Sequence, residues 1–99
     1  MIVAFSVSPS GGDPDGGVSE AVARAVRVVR DSGLPNSTNA MFTNVEGSWD
    51  EVMDVVKRAV EAAGEGAARV SLVLKADIRP GFDSGQLEGK VERLEEHLR

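Results

Sequence analysis

The sequence contains no cysteine and one histidine. Without cysteine it can form no disulfide framework, thiol nucleophile or thiolate metal site. Its single histidine, His97 near the C-terminal end, is too little for zinc ligation or Ser-His-Asp chemistry. Basic residues are also scarce. Eleven Lys and Arg stand against sixteen Asp and Glu, a formal net charge of -5, so no excess positive field exists to neutralise phosphates and nucleic acid is not expected as a partner. Uninterrupted apolar runs stop after a few residues, far short of the roughly 20 that a membrane-spanning helix needs. A strand pattern begins directly after Met1, where a secretory leader would place a basic segment and an apolar block. These features lead us to expect a cytoplasmic protein with no membrane partner and no metal.

What is present suits a folded domain. Hydrophobic residues make up 41% and charged residues 27% of 99 positions, within the range of ordinary globular domains. One domain spanning residues 1–99 is expected, with a core small enough that oligomerisation would supplement it.

The chain divides by hydrophobic period. Ile2 to Val7 reads as a strand, with Val3, Phe5 and Val7 on one face and Ala4, Ser6 and Ser8 on the other. The segment "SGGDPDGG" is a turn or loop, and its Asp13 and Asp15 lack the further ligands and spacing of a calcium loop. Val18, Ala21, Val22, Ala25, Val26 and Val29 follow the spacing of an amphipathic helix over 18–31, with Gly33 as its left-handed cap. Two short strands follow, around Asn36 to Ala40 and Phe42 to Glu46. Ser48 and Glu51 form a capping box that opens a second helix, whose apolar series Val52, Val55, Val56, Ala59, Val60 and Ala63 repeats that of the first. "RVSLVLKAD" is a strand with one apolar and one half-polar face. A last helix from about Gln86 carries Leu87, Val91, Leu94 and Leu98 on a narrow stripe. The order is an α+β, ferredoxin-like β-α-β-β-α-β sandwich with a C-terminal helix. Both long helices can cover one sheet face, leaving the other to a ligand or a partner subunit.

Four segments, in this order and at this spacing, carry a resemblance over nearly the whole chain: "FSVSP", "TNVEG" leading into "WDEVMDVVK", "LKADIRPG" and "LEGKVERL". Together they resemble the small thiamine-binding-protein family of ferredoxin-like domains. The resemblance implies non-catalytic binding of thiamine or its hydroxymethylpyrimidine moiety, no cofactor, and assembly into tetramers through the sheets. It maps ligand-side features onto Thr43 and Glu46, and further onto Ser6, Ser8, Lys75 and Asp77. The chain departs from the family at Asn36, where a tyrosine is common, and at Phe42, where a glycine or asparagine is common.

An aminopyrimidine presents a ring nitrogen and an exocyclic amine in one plane, and a carboxylate such as Glu46 can engage both if a proton is shared. Thr43, Asn39 or Asn44 would supply further donors and acceptors, and Phe42 would either stack on the ring or fill its place. On this reading Glu46→Gln weakens binding and hardly changes stability. The plainer alternatives are that Glu46 is a surface carboxylate favouring the nearby helix start, and that Ser6 and Ser8 are solvent or interface hydroxyls. Lys75 and Asp77 would each serve a cross-strand or intersubunit ion pair, Trp49 would be a partly buried packing residue, and Met41 and Met53 would be core fillers. Three other functions compete: a regulatory small-molecule module of the amino-acid-sensing kind, a ligand-free structural oligomer, and an acylphosphatase-like hydrolase. The last would need an anchoring arginine in "SPSGGDPDGG", which has none.

Overall fold

The computed structural model describes residues 1–11 and 18–99. Four strands and three helices follow one another as β1 (Ile2–Ser10), α1 (Val18–Asp31), β2 (Asn36–Thr38), β3 (Thr43–Glu46), α2 (Trp49–Ala63), β4 (Arg69–Asp77) and α3 (Gln86–Leu98). The strands make one antiparallel sheet in the order β2-β3-β1-β4, the expected ferredoxin-like arrangement. Asp13 and Asp15 lie outside the described residues.

Alternation decides which side chains meet the helices. Val3 pairs with Val45 and Phe5 with Thr43, all four buried, and beneath α1 and α2 they join Ala25, Val29, Val52, Val55, Val56 and Ala59. Burying a valine of this kind contributes about 1.5–3 kcal/mol, so the matched aliphatic stripes of the two helices account for much of the fold's stability. Gly33 adopts φ +78°, the left-handed conformation expected where α1 ends. The Ser48 hydroxyl accepts from the backbone N–H of Glu51 at 3.3 Å, and the Glu51 carboxylate accepts from that of Ser48 at 3.1 Å, completing the capping box. The bond donated by the Ser48 backbone N–H, and to a lesser degree the Ser48 hydroxyl beside the carboxylate, hold the Glu51 carboxyl below the usual carboxylate range.

Three expectations are corrected. The two short strands end and begin earlier and later than their residue types suggest, so residues 39–42 form a turn. The reason is Asn39, whose Oδ1 accepts from the backbone N–H groups of Met41 and Phe42, both at 2.9 Å, in a turn that competes with strand pairing. Met41 is therefore 73% exposed at the turn tip and is not a core residue, whereas Met53 does pack against the core. Trp49, in the first turn of α2, is 56% exposed. Asp77 forms its ion pair with Lys90 of α3, and this hydrogen bond, followed by the lysine's charge, holds its carboxyl below the usual range.

The sheet face opposite α1 and α2 is partly covered by α3. A row of paired residues, Glu46, Ile2 and Asp77, crosses this face at one end of the sheet. Helix α3 is attached at both carboxylates of the row, through its N-terminal backbone to Glu46 and through Lys90 to Asp77.

Candidate functional site

A cleft of about 220 Å³ opens between α1 and the turn joining β2 to β3. Its floor is a cross-strand row on the helix side of the sheet: Thr38 pairs with Thr43, and Thr43 with Phe5. Val22, Ala25 and Val26, one turn apart on α1, form the roof, and residues 39–42 form the outer wall. The side-chain bonds of Asn39 shape that wall, and a third bond runs from the Asn39 backbone N–H to the carbonyl of Phe42 at 3.0 Å. Among the described residues no titratable side chain lines the cleft. It offers two threonine hydroxyls, the Asn39 amide, backbone groups and the rings of Phe5 and Phe42. Such a surface suits an uncharged planar ring: aromatic faces for contact and a few donors and acceptors for orientation. Drug-sized ligands occupy roughly 300–1,000 Å³, so this cleft takes one ring, with any second ring left outside.

Of the seven residues proposed as ligand contacts, the structure brings four to this cleft: Ser6, Asn39, Phe42 and Thr43. Thr43 lies deepest among the polar ones, 7% exposed. Asn39 has spent its carbonyl oxygen on the turn, which leaves its amide N–H groups as donors. The other three are elsewhere. Asn44 is on the opposite face, donating to the hydroxyl of Ser37 at 3.4 Å, and Ser8 is exposed further along β1.

Glu46 is only 1% exposed and already has partners. Its Oε2 accepts from the backbone N–H of Gln86 at 2.8 Å and its Oε1 from that of Leu87 at 3.1 Å. The residue preceding α3, Gly85, has no side chain to cap it, and a carboxylate from forty residues away serves instead. Glu46→Gln is therefore expected to loosen α3, a correction to the small stability effect expected from sequence. Among the described residues no group of three or more His, Asp or Glu side chains is placed to hold a metal.

Residue-type reasoning missed the roof and most of the floor. Val22, Ala25 and Val26 belong to an ordinary amphipathic stripe, and nothing in that stripe distinguishes residues over a cleft from residues over a filled core. The one available signal was the pair of polar residues, Thr38 and Thr43, flanking a turn. Such residues on the buried side of a sheet need a reason.

The sequence profile of the family described as "Thiamine-binding protein" matches residues 3–95. A UPF0045 protein of Mycobacterium tuberculosis is 54% identical over 99 residues, covering 99% of this chain and 94% of its own. A UPF0045 protein of Synechocystis is 36% identical over 83 residues, covering 82% of this chain and 67% of its own. Among solved structures, a Bacillus cereus domain of unknown function, DUF77, superimposes with a TM-score of 0.78 at 35% identity, covering 88% of this chain and 83% of that one. A Thermotoga maritima protein provisionally assigned to thiamine biosynthesis or salvage superimposes with a TM-score of 0.77 at 29% identity, covering 94% and 96%.

Proposed function

The chain belongs to the thiamine-binding protein family, and on that premise we propose that the cleft under α1 binds the aminopyrimidine of thiamine or of a related hydroxymethylpyrimidine, without catalysis. One observation carries this reading: a single-ring cleft floored by Thr38, Thr43 and Phe5 and walled by Phe42. An aminopyrimidine brings a flat apolar face together with in-plane donors and acceptors. The two phenylalanine rings supply contact for the face, while the threonine hydroxyls and the Asn39 amide suit the edge. Thiazolium, the charged half of thiamine, would then project past Met41 into solvent, where a cation costs nothing to desolvate. Among the described residues the lining has no carboxylate, imidazole or amine, which favours binding over acid–base chemistry.

The same reading includes a cytoplasmic homo-oligomer, a dimer or tetramer. Its support is the apolar surface left outside the core, at Val73 on β4 and at Val91, Leu94 and Leu98 on α3. No described helix is long and apolar enough to cross a membrane.

Titration calorimetry with thiamine, its phosphates, hydroxymethylpyrimidine and amino acids tests the reading. Thiamine and hydroxymethylpyrimidine should both bind, and Thr43→Val should weaken them about tenfold, the loss of one hydrogen bond of roughly 1.4 kcal/mol. Binding of an amino acid alone would favour the regulatory module, and binding unchanged by Thr43→Val would move the site out of this cleft.

A further inference from the structure

An oxidant that attacks sulfur finds few targets in this chain. With no cysteine, the only sulfur atoms are those of Met1, Met41 and Met53. Met1 is 3% exposed, within the core, and Met53 packs against that core from α2. Met41 is 73% exposed and belongs to the turn that walls the cleft. The thioether most open to solvent is therefore also the one at the mouth of the site.

Exposure decides which methionine reacts first, and the turn decides what the reaction changes. The backbone N–H groups of Met41 and Phe42 both donate to Asn39 Oδ1, and the Asn39 N–H donates to the Phe42 carbonyl. All three bonds use backbone and Asn39 atoms, so the turn keeps its shape whatever the state of the Met41 sulfur. What changes is the surface that an entering ring crosses. A thioether is polarizable and makes favourable contacts with aromatic edges. A sulfoxide is polar and chiral, holds water on its oxygen, and must shed that water before an apolar ring face can lie against it.

We infer that Met41 is a reversible oxidation site that tunes the cleft: conversion to the sulfoxide weakens ring binding and leaves the domain folded. This rests on the reading of the cleft as an aminopyrimidine site. The oxidant is hydrogen peroxide. The sulfur lone pair takes one peroxide oxygen, the O–O bond breaks as the S–O bond forms, and the other oxygen leaves with both protons as water. Sulfur gives up the two electrons that the peroxide gains. Attack at either lone pair yields two epimers, so reversal takes both classes of methionine sulfoxide reductase, one for each.

The test treats the full chain with dilute hydrogen peroxide, locates the added oxygen by peptide mass and titrates hydroxymethylpyrimidine and thiamine by calorimetry. Met41 should be oxidised well before Met53 or Met1. Affinity for hydroxymethylpyrimidine should then fall about three- to tenfold, the size of one lost sulfur–ring contact. Thiamine should lose less, because its thiazolium is drawn to the partial negative charge of the sulfoxide oxygen. The urea midpoint should stay in place, and the two reductases together should restore affinity. Met41→Leu, apolar and without sulfur, should keep its own starting affinity through the same treatment. Met41→Gln, polar from the start, should bind hydroxymethylpyrimidine as weakly as the oxidised wild type does. Oxygen entering Met53 or Met1 as fast as Met41, hydroxymethylpyrimidine affinity unchanged once Met41 is oxidised, or an equal loss in treated Met41→Leu would each overturn the inference and leave the cleft reading standing. An untreated chain that binds neither ligand would overturn both.

Discussion

Helices α2 and α3 are similar in length, fifteen and thirteen residues, yet are held in opposite ways. α2 starts on a capping box made by its own residues and buries Val52, Val55, Val56, Ala59 and Ala63. α3 starts on a glycine at φ +75°, has no side-chain cap of its own and has no fully buried residue. It is attached by polar contacts made from a distance: the Glu46 carboxylate to its first backbone N–H groups, and Asp77 to Lys90. The preceding loop is tied down by Asp83, which accepts from the Met1 α-amino group at 2.8 Å. One helix is secured by local chemistry and hydrophobic burial, and the other by a buried acid on a neighbouring strand. The first arrangement makes a helix part of the cooperative core, and the second makes one that can open on its own.

The largest expected effect separates the two at once. Val52→Asp places an unpaired carboxylate under α2 at a fully buried position and should destabilise the whole domain by more than about 3 kcal/mol, read as loss of the folded population in urea. No equivalent position exists on α3 among the described residues.

Glu46→Gln comes next and acts on α3 alone. It removes the charge from two hydrogen bonds of a kind that contributes roughly 1.5–3 kcal/mol each. Amide exchange across residues 86–98 should accelerate ten- to a hundredfold while α2 stays protected. Equal acceleration in both helices would mean that α3 belongs to the same cooperative unit as the core.

At about 1 kcal/mol, two substitutions sharpen the contrast from opposite directions. Ser48→Ala removes the cap of α2 and should cost about 1 kcal/mol of global stability. Gly89→Ala should strengthen α3 locally by about 1 kcal/mol, because the added Cβ would meet only the flexible end of Arg93 at 3.3 Å. That gain should appear as slower exchange in α3, with the urea midpoint little changed.

The smallest effect is a pH dependence at the α2 cap. The Glu51 carboxyl titrates below its ordinary 4.5 in the folded protein, so its contribution is present above that value and is lost as pH falls through the lowered one. Carbon-detected NMR titration should place its midpoint below 4.5 in wild type and nearer to it in Ser48→Ala, which removes the hydroxyl, the lesser of the two influences. A wild-type midpoint at or above 4.5 would mean that the capping box is open in solution.

These contrasts separate what residue patterns reveal from what they hide. The stripe on α1, the capping box on α2 and the alternation in β1 all act within a few residues, so the order of elements and the core face of each could be read directly. The turn at 39–42 was misplaced because a single side-chain oxygen, that of Asn39, outweighs the strand preference of its neighbours. The cleft was half legible. Thr43, Asn39 and Phe42 are near one another in sequence, but Phe5 and the α1 roof reach them only through strand pairing and helix packing.

Glu46 shows the division most clearly. The sequence alone determined that a carboxylate would end β3 just before a turn and a capped helix, and that α3 would have a weak N-terminus after Gly85. That the one would serve the other was decided only in three dimensions. The antiparallel sheet brings the end of β3 beneath the start of α3, across forty residues of chain, and the burial of that contact makes an ordinary acidic residue a structural one. Local periodicity and capping are short-range forces written in neighbouring residues. The partner of a buried charge is chosen by the packing of elements distant in the chain, so it exists only once the fold does.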